Sequence, residues 1–155
     1  MTSSSQVPAD RVRELLERIA STAGIDASVE VHQGPDGLRA EYLGDELGLL
    51  IGHHGQTIDA IQHLAYRVAM HGDHERIPVV VDAAGYRERR AETLRATADQ
   101  AAQTALDGKR AVPLEAMSAL ERKVIHEHLK DRRDIETYSE GQEPSRRLVV
   151  APLVD

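Results

Sequence analysis

The 155-residue chain has no cysteine, which excludes disulfides, thiolate metal sites and a cysteine nucleophile. Phe and Trp are absent too, and the only aromatic rings besides histidine are Tyr42, Tyr66, Tyr86 and Tyr138. A protein that holds single strands by stacking bases on a sheet needs several rings on one face. An RRM or an ordinary OB-fold therefore fits poorly. No run of about 18 apolar residues is present, so no membrane insertion is expected. The opening MTSSSQVPAD lacks the basic start and apolar run of a secretion signal. With the missing thiols, this fits a cytoplasmic location. An overall positive charge is also lacking: the net charge is −7, which argues against diffuse attraction to nucleic acid or anionic lipid.

What is present is enough Leu, Ile, Val and Ala to build a core, at 41% hydrophobic residues, so a disordered chain is excluded. The charge is unevenly placed. Residues 1–82 hold six Arg and Lys against thirteen Asp and Glu, a net of −7, while residues 83–155 hold thirteen of each. Local cationic clusters therefore belong to the second half.

A Ser-rich tail over residues 1–7 reads as disordered. Pro8 opens a helix with Val12, Leu15, Leu16, Ile19 and Ala20 on one face, and Gly24 stops it. Val29 and Val31, then Leu38, Ala40 and Tyr42, alternate around Gly34-Pro35-Asp36-Gly37 and predict a hairpin with a loop longer than two residues. Asp45 is placed to cap a short helix carrying Leu47, Leu49, Leu50 and Ile51. A second helix carries Ile58, Ile61, Leu64, Ala65 and Val68, and Ile77–Val81 reads as a central strand. Residues 84–106 form a long helix with a thin stripe of Leu94, Ala98, Ala101, Ala105 and Leu106. Ser118 to Glu121 is a capping box, with the Ser hydroxyl accepting a first-turn amide and the Glu reaching back. Two strands follow, over 135–139 and 147–150. The expected fold class is α+β. Its domains are 8–83, a connecting helix over 84–108, and 109–155.

Two motifs carry chemistry. Leu50-Ile51-Gly52-His53-His54-Gly55-Gln56-Thr57-Ile58 places two glycines three apart between helices, where the backbone can turn tightly and expose amides to a phosphate. Ile51, Ile58 and Ile61 are expected to flank a groove for bases, with Gln56 at its edge. The second motif is Glu121-Arg122-Lys123-Val124-Ile125-His126. Arg122 and His126 lie one helical turn apart, beside the apolar face, where a guanidinium and an imidazole can meet a phosphate or base. Lys123, Arg132, Arg133, Arg146 and Arg147 extend that basic set.

The glycine motif, set after a helix and hairpin and before an apolar strand, resembles a type II KH domain. Such domains clamp about four nucleotides of a single strand. The two middle positions, commonly Lys or Arg in that family, are His53 and His54 here. Histidine is mostly neutral at cytoplasmic pH, so weaker phosphate attraction is expected at this loop. Residues 121–150, ERKVIHEHLKDRRDIETYSEGQEPSRRLVV, resemble an R-three-H domain, a small module associated with single-stranded nucleic acid. A KH segment followed by an R-three-H segment, joined by a helix that starts Tyr86-Arg87-Glu88-Arg89-Arg90, resembles the bacterial Jag, or SpoIIIJ-associated, family over roughly residues 8–152. This resemblance implies a cytoplasmic protein that binds single-stranded RNA and regulates cell envelope growth or division. It leaves room for single-stranded DNA as ligand and for a second small KH protein as partner. Many relatives carry a further N-terminal domain, which this chain is expected to lack.

Catalysis finds little support. There is no GxSxG elbow, no GxxxxGK[ST] phosphate loop and no HExxH. His126 and His128 point apart on a helix, and His71 with His74 offers only a loop pair, so no metal and no cofactor is expected. The competing function is a protein–protein adaptor that uses the KH fold as a docking surface, which the acidic first half favours.

Overall fold

The structure is a computed structural model that describes residues 7–72 and 75–153. The tail expected over residues 1–7 lies, apart from Val7, outside the described residues, as does His74 of the histidine pair. The chain divides into two compact units, residues 1–87 and 88–155. Both mix helix and strand, as the α+β reading predicts.

Unit 1 runs α1 (Val7–Thr22), β1 (Ser28–Gly34), β2 (Gly37–Leu43), α2 (Gly48–Ile51), a single 3-10 turn (His53–Gly55), α3 (Gln56–Ala69) and β3 (Val79–Ala83). β1 and β2 are antiparallel and β2 and β3 are parallel, in the order β1-β2-β3. The strand read as central is therefore an edge strand. The hairpin is also tighter than expected. Gly34 pairs with Gly37, leaving only Pro35 and Asp36 as the loop.

Alternation along the strands puts Leu38, Ala40 and Tyr42 on one face with Val79, Val81 and Ala83. Val12, Leu16 and Ala20 from α1 and Ile58, Ile61, Ala65 and Ala69 from α3 cover that face. Each large aliphatic chain so buried contributes about 1.5–3 kcal/mol relative to exposure. The Tyr42 hydroxyl donates to the Leu16 carbonyl at 2.7 Å. Burial raises the pKa of this phenol, which keeps it a neutral donor at physiological pH.

Unit 2 takes most of α4 (Tyr86–Gly108), then β4 (Val112–Ala116), α5 (Ala119–Leu129), β5 (Ile135–Glu140) and β6 (Arg147–Pro152). Its sheet is antiparallel in the order β4-β6-β5. The helix expected to connect the modules is itself a core element. Leu94, Ala98, Ala101, Ala102 and Ala105 pack with Met117, Ile125, Leu129, Ile135, Leu148 and Val150. Alanines at these positions let helix and neighbours approach closely at little side-chain entropy cost. β4 was not foreseen. Pro113 removes a ladder donor and is tolerated because β4 is an edge strand, with an irregular register between Pro113 and Ala116.

Candidate nucleic-acid interface

The glycine loop of unit 1 owes its shape to three residues in left-handed backbone conformations: Gly52 (φ 73), His54 (φ 51) and Gly55 (φ 79). Only glycine adopts this region without cost. Crowding adds a second reason. A Cβ on Gly52 would overlap the Thr57 side chain, and one on Gly55 would sit 2.7 Å from the ring of Tyr86. The glycines thus allow α2 and α3 to close on each other and let Tyr86 back the turn. Gly52 donates to the Gly48 carbonyl at 2.9 Å, ending α2. That helix has Leu47 at its cap position and no side-chain cap, so Asp45 does not cap it. α3 also starts without a side-chain cap; the Gln56 amide donates to the His53 carbonyl, and the first-turn amides after it are the ones open to an anion. The His53 and His54 rings stack with centroids 3.8 Å apart.

A polar clamp holds this corner. Arg87 donates to Asp59 at 2.7 Å, to Gln62 at 3.0 Å and to the Val81 carbonyl at 2.9 Å. Asp82, buried, accepts from the Arg87 backbone amide at 3.2 Å and so fixes the start of α4. Motif reading did not single out Arg87 or Asp59. The only hint was Arg87 among the basic residues opening the helix.

Two of the expected groove residues are corrected. Ile58 is fully buried and Ile61 nearly so, both turned into the core between α3 and the sheet. The apolar stripe of α3 is needed there, and it leaves neither residue a surface for a base. Ile51 is half-buried, and His53 and Gln56 are exposed. Among the described residues the large exposed apolar chains of this unit are Leu49 and Leu64, at 75% and 50% accessibility.

In unit 2, α5 starts at Ser118, whose hydroxyl accepts from the Glu121 amide at 3.3 Å. The reciprocal half of the expected capping box does not form. The Glu121 carboxylate instead accepts from Arg90 at 2.6 Å.

Alongside α5 lies an open depression of about 540 Å³, lined by Ala119, Arg122, Lys123, His126, Thr137, Tyr138, Ser139, Arg146 and Leu148. His126 Nδ1 and the Thr137 hydroxyl are hydrogen-bonded at 2.6 Å. Lys123 is exposed and Tyr138 is 45% accessible at the depression. Thr137, Tyr138 and Ser139 escaped motif reading. Their strand was visible in the alternation, but its placement opposite α5 was not.

Arg122 is also corrected. It was expected beside the apolar face, presenting its guanidinium outward with His126. It is only 8% exposed. Its guanidinium donates to the Met117 carbonyl at 2.7 Å and to Glu143 at 2.7 Å. The carbonyls and carboxylate satisfy a charge that burial would otherwise penalise. The other arginines separate. Arg146 stands at the depression, its guanidinium donating to the Gly141 carbonyl at 2.6 Å. Arg147 is paired with Glu140. Arg132 is paired with Asp134 at 2.6 Å, and its hydrogen bond there, helped by its charge, holds the Asp134 carboxyl below the usual range. Arg132 and exposed Arg133 precede β5, at the far end of the β5–β6 ladder from Arg147, and are not among the residues lining the depression.

Among the described residues no group of three or more His, Asp or Glu is placed to hold a metal ion, and no helix is long and apolar enough to cross a membrane.

Comparison with known proteins agrees with this division. Residues 9–81 match the family described as KhpA/KhpB, KH domain, and residues 92–152 match the R-three-H domain. The RNA-binding protein KhpB of Clostridium symbiosum is 36% identical over 144 residues, covering 92% of this chain and 65% of that protein. The RNA-binding protein KhpB of Lactiplantibacillus plantarum is 36% identical over 138 residues, which cover 89% of this chain and 43% of the relative. The chain thus spans less than two thirds of the length of these two relatives. The RNA-binding protein KhpB of Bacillus subtilis is 33% identical over 146 residues, covering 93% of this chain and 70% of that protein. The glycine loop in a KH match, the helix-borne depression in an R-three-H match, and a likeness that runs through both place the chain in the KhpB, or Jag, family.

Proposed function

We propose that this chain binds single-stranded RNA, without catalysis, at the glycine loop of unit 1 and the depression of unit 2. The depression carries the proposal. Lys123 and Arg146 bring positive charge to one open surface, with His126, two strand hydroxyls and an exposed tyrosine beside them. The cations attract phosphates. The hydroxyls of Thr137 and Ser139 donate to them, and the Tyr138 ring offers a face for one base. At the other site the glycine turn and the start of α3 receive the backbone, with Ile51, His53, His54 and Gln56 around it. Arg133 adds general attraction. Few bases are read, so sequence preference is modest.

The relatives are named RNA-binding proteins, and that name supports the same ligand here. The family reading extends to a cytoplasmic regulator of cell envelope growth or division that acts with a second small KH protein. A docking role for unit 1 is the second reading, favoured by exposed Leu49 and Leu64.

Fluorescence anisotropy with a mixed single-stranded RNA at two salt concentrations separates the two. RNA binding predicts that Lys123→Ala and the double substitution His53→Asp/His54→Asp each weaken a salt-dependent affinity. Single-stranded DNA as competitor reports ligand choice. If neither variant weakens binding, the docking role stands.

A further inference from the structure

We infer that Arg122 is a positioning residue for this site: it anchors the β5–β6 loop that brings Arg146 to the depression, and takes no RNA phosphate itself. The inference rests on the RNA-binding reading and refines how that site is built.

The geometry of the guanidinium is the starting point. One terminal nitrogen donates to the Met117 carbonyl at 2.7 Å and reaches the Arg146 carbonyl at 3.4 Å. The other donates to Glu143 at 2.7 Å. One planar group thus ties together the residue before the Ser118 cap, the middle of the loop and the residue entering β6. The Arg146 carbonyl also accepts from the Met117 amide at 3.2 Å. The loop supports itself only lightly elsewhere. The Ser145 amide donates to the Gln142 carbonyl at 2.9 Å, and Arg146 donates to the Gly141 carbonyl at 2.6 Å. Gly141 takes a left-handed turn at φ 87. Residues 141–145 are otherwise exposed, so the fork of Arg122 is their main tie to α5.

Charge points the same way. Glu143 neutralises Arg122 in the folded protein, and a cation already paired with a carboxylate has little left to exchange with a phosphate. Among the described residues Lys123 has no carboxylate within 4.0 Å, nor has Arg146. At the depression these two are the cations that exchange counterions for RNA.

A double-substitution cycle with Arg146 tells the roles apart, and counterion release reports the direct contacts. For single strands each phosphate contact contributes about 0.7 to the slope of log affinity against log salt. The experiment is an anisotropy titration of a mixed single-stranded RNA across a salt series, with amide exchange of residues 141–146 measured on the same proteins. Arg122→Met is expected to weaken binding about tenfold with faster loop exchange, and to add little further loss once Arg146→Ala is present, because both substitutions act through the Arg146 contact. Lys123→Ala is expected to lower the slope by about 0.7 with wild-type loop exchange.

Arg122→Lys guards against misfolding of the Met variant. An ammonium keeps the charge but lacks the planar fork, so it too is expected to bind several-fold more weakly and exchange faster. Full additivity of Arg122→Met with Arg146→Ala, or wild-type affinity in Arg122→Lys, overturns the inference. Absence of salt-dependent binding by the wild-type chain overturns the RNA reading itself, and is recognised before any variant is compared.

Discussion

The two units solve one problem with different parts of the chain. Unit 1 carries the whole net charge of the sequence in its first 82 residues, −7, and builds its site from backbone. Two glycines and one left-handed histidine turn the chain, and the amides of α3 are what the turn exposes. Unit 2 is close to charge-balanced and builds its site from side chains on a helix and two strands. A backbone site tolerates an acidic setting because its donors are fixed partial charges at short range. A side-chain site works only where local carboxylates leave some cations unpaired. Glu140, Glu143 and Asp134 each take one arginine in unit 2, and at the depression, among the described residues, Lys123 and Arg146 remain without a carboxylate. The identity of the unpaired cations, not the number of arginines, defines that surface.

The largest expected effect concerns what unit 1 does with its isoleucines. Ile58→Ala should cost about 2–5 kcal/mol of unit 1 stability, because the side chain is fully buried. Urea unfolding followed by amide exchange in α3 and β2 measures it. A loss below about 0.5 kcal/mol would return Ile58 to the surface and restore it as a groove residue.

The next effect tests the backbone basis of the same site. Gly55→Ala should cost about 1–2 kcal/mol from the left-handed conformation alone, and more from contact with Tyr86. Adding Tyr86→Ala should recover the contact part and leave the conformational part. If the double variant is no better than the sum of the two single ones, Tyr86 does not back the turn.

The smallest effect sharpens unit 2. Ser118→Ala should cost about 1 kcal/mol through loss of the hydroxyl that accepts the Glu121 amide. Glu121→Gln reports on a different partner, Arg90. The two substitutions should be close to additive, whereas an intact reciprocal box would make them couple.

Period and turn chemistry made much of the fold legible. The stripes of α1 and α3, the alternation of β2 and the glycine turn all follow from local rules. Those rules miss where a partner comes from elsewhere in the chain. β4 hid behind Pro113, which reads as a breaker until its edge position is known. The hairpin loop was overestimated because Gly34 and Gly37 pair as strand residues rather than turn.

At the site, the glycines were legible because their requirement is local. Arg122 was not, because its partners Met117, Arg146 and Glu143 lie 5, 24 and 21 positions away. Likewise Ile58 and Ile61 belong to a stripe that fits both a groove and a core, and only the packed sheet decides between them. Glu121 fitted a local capping role, and a long-range arginine outcompeted that role.

Amide chemical shifts of the labelled chain, recorded during titration with a mixed single-stranded RNA, test the two-site reading most directly. The account predicts shifts at residues 51–57 in unit 1 and at 119–126, 137–139 and 146 in unit 2. Residues around Leu49 and Leu64 outside those stretches should stay still. Shifts confined to one unit, or absent from the depression beside α5, would contradict it.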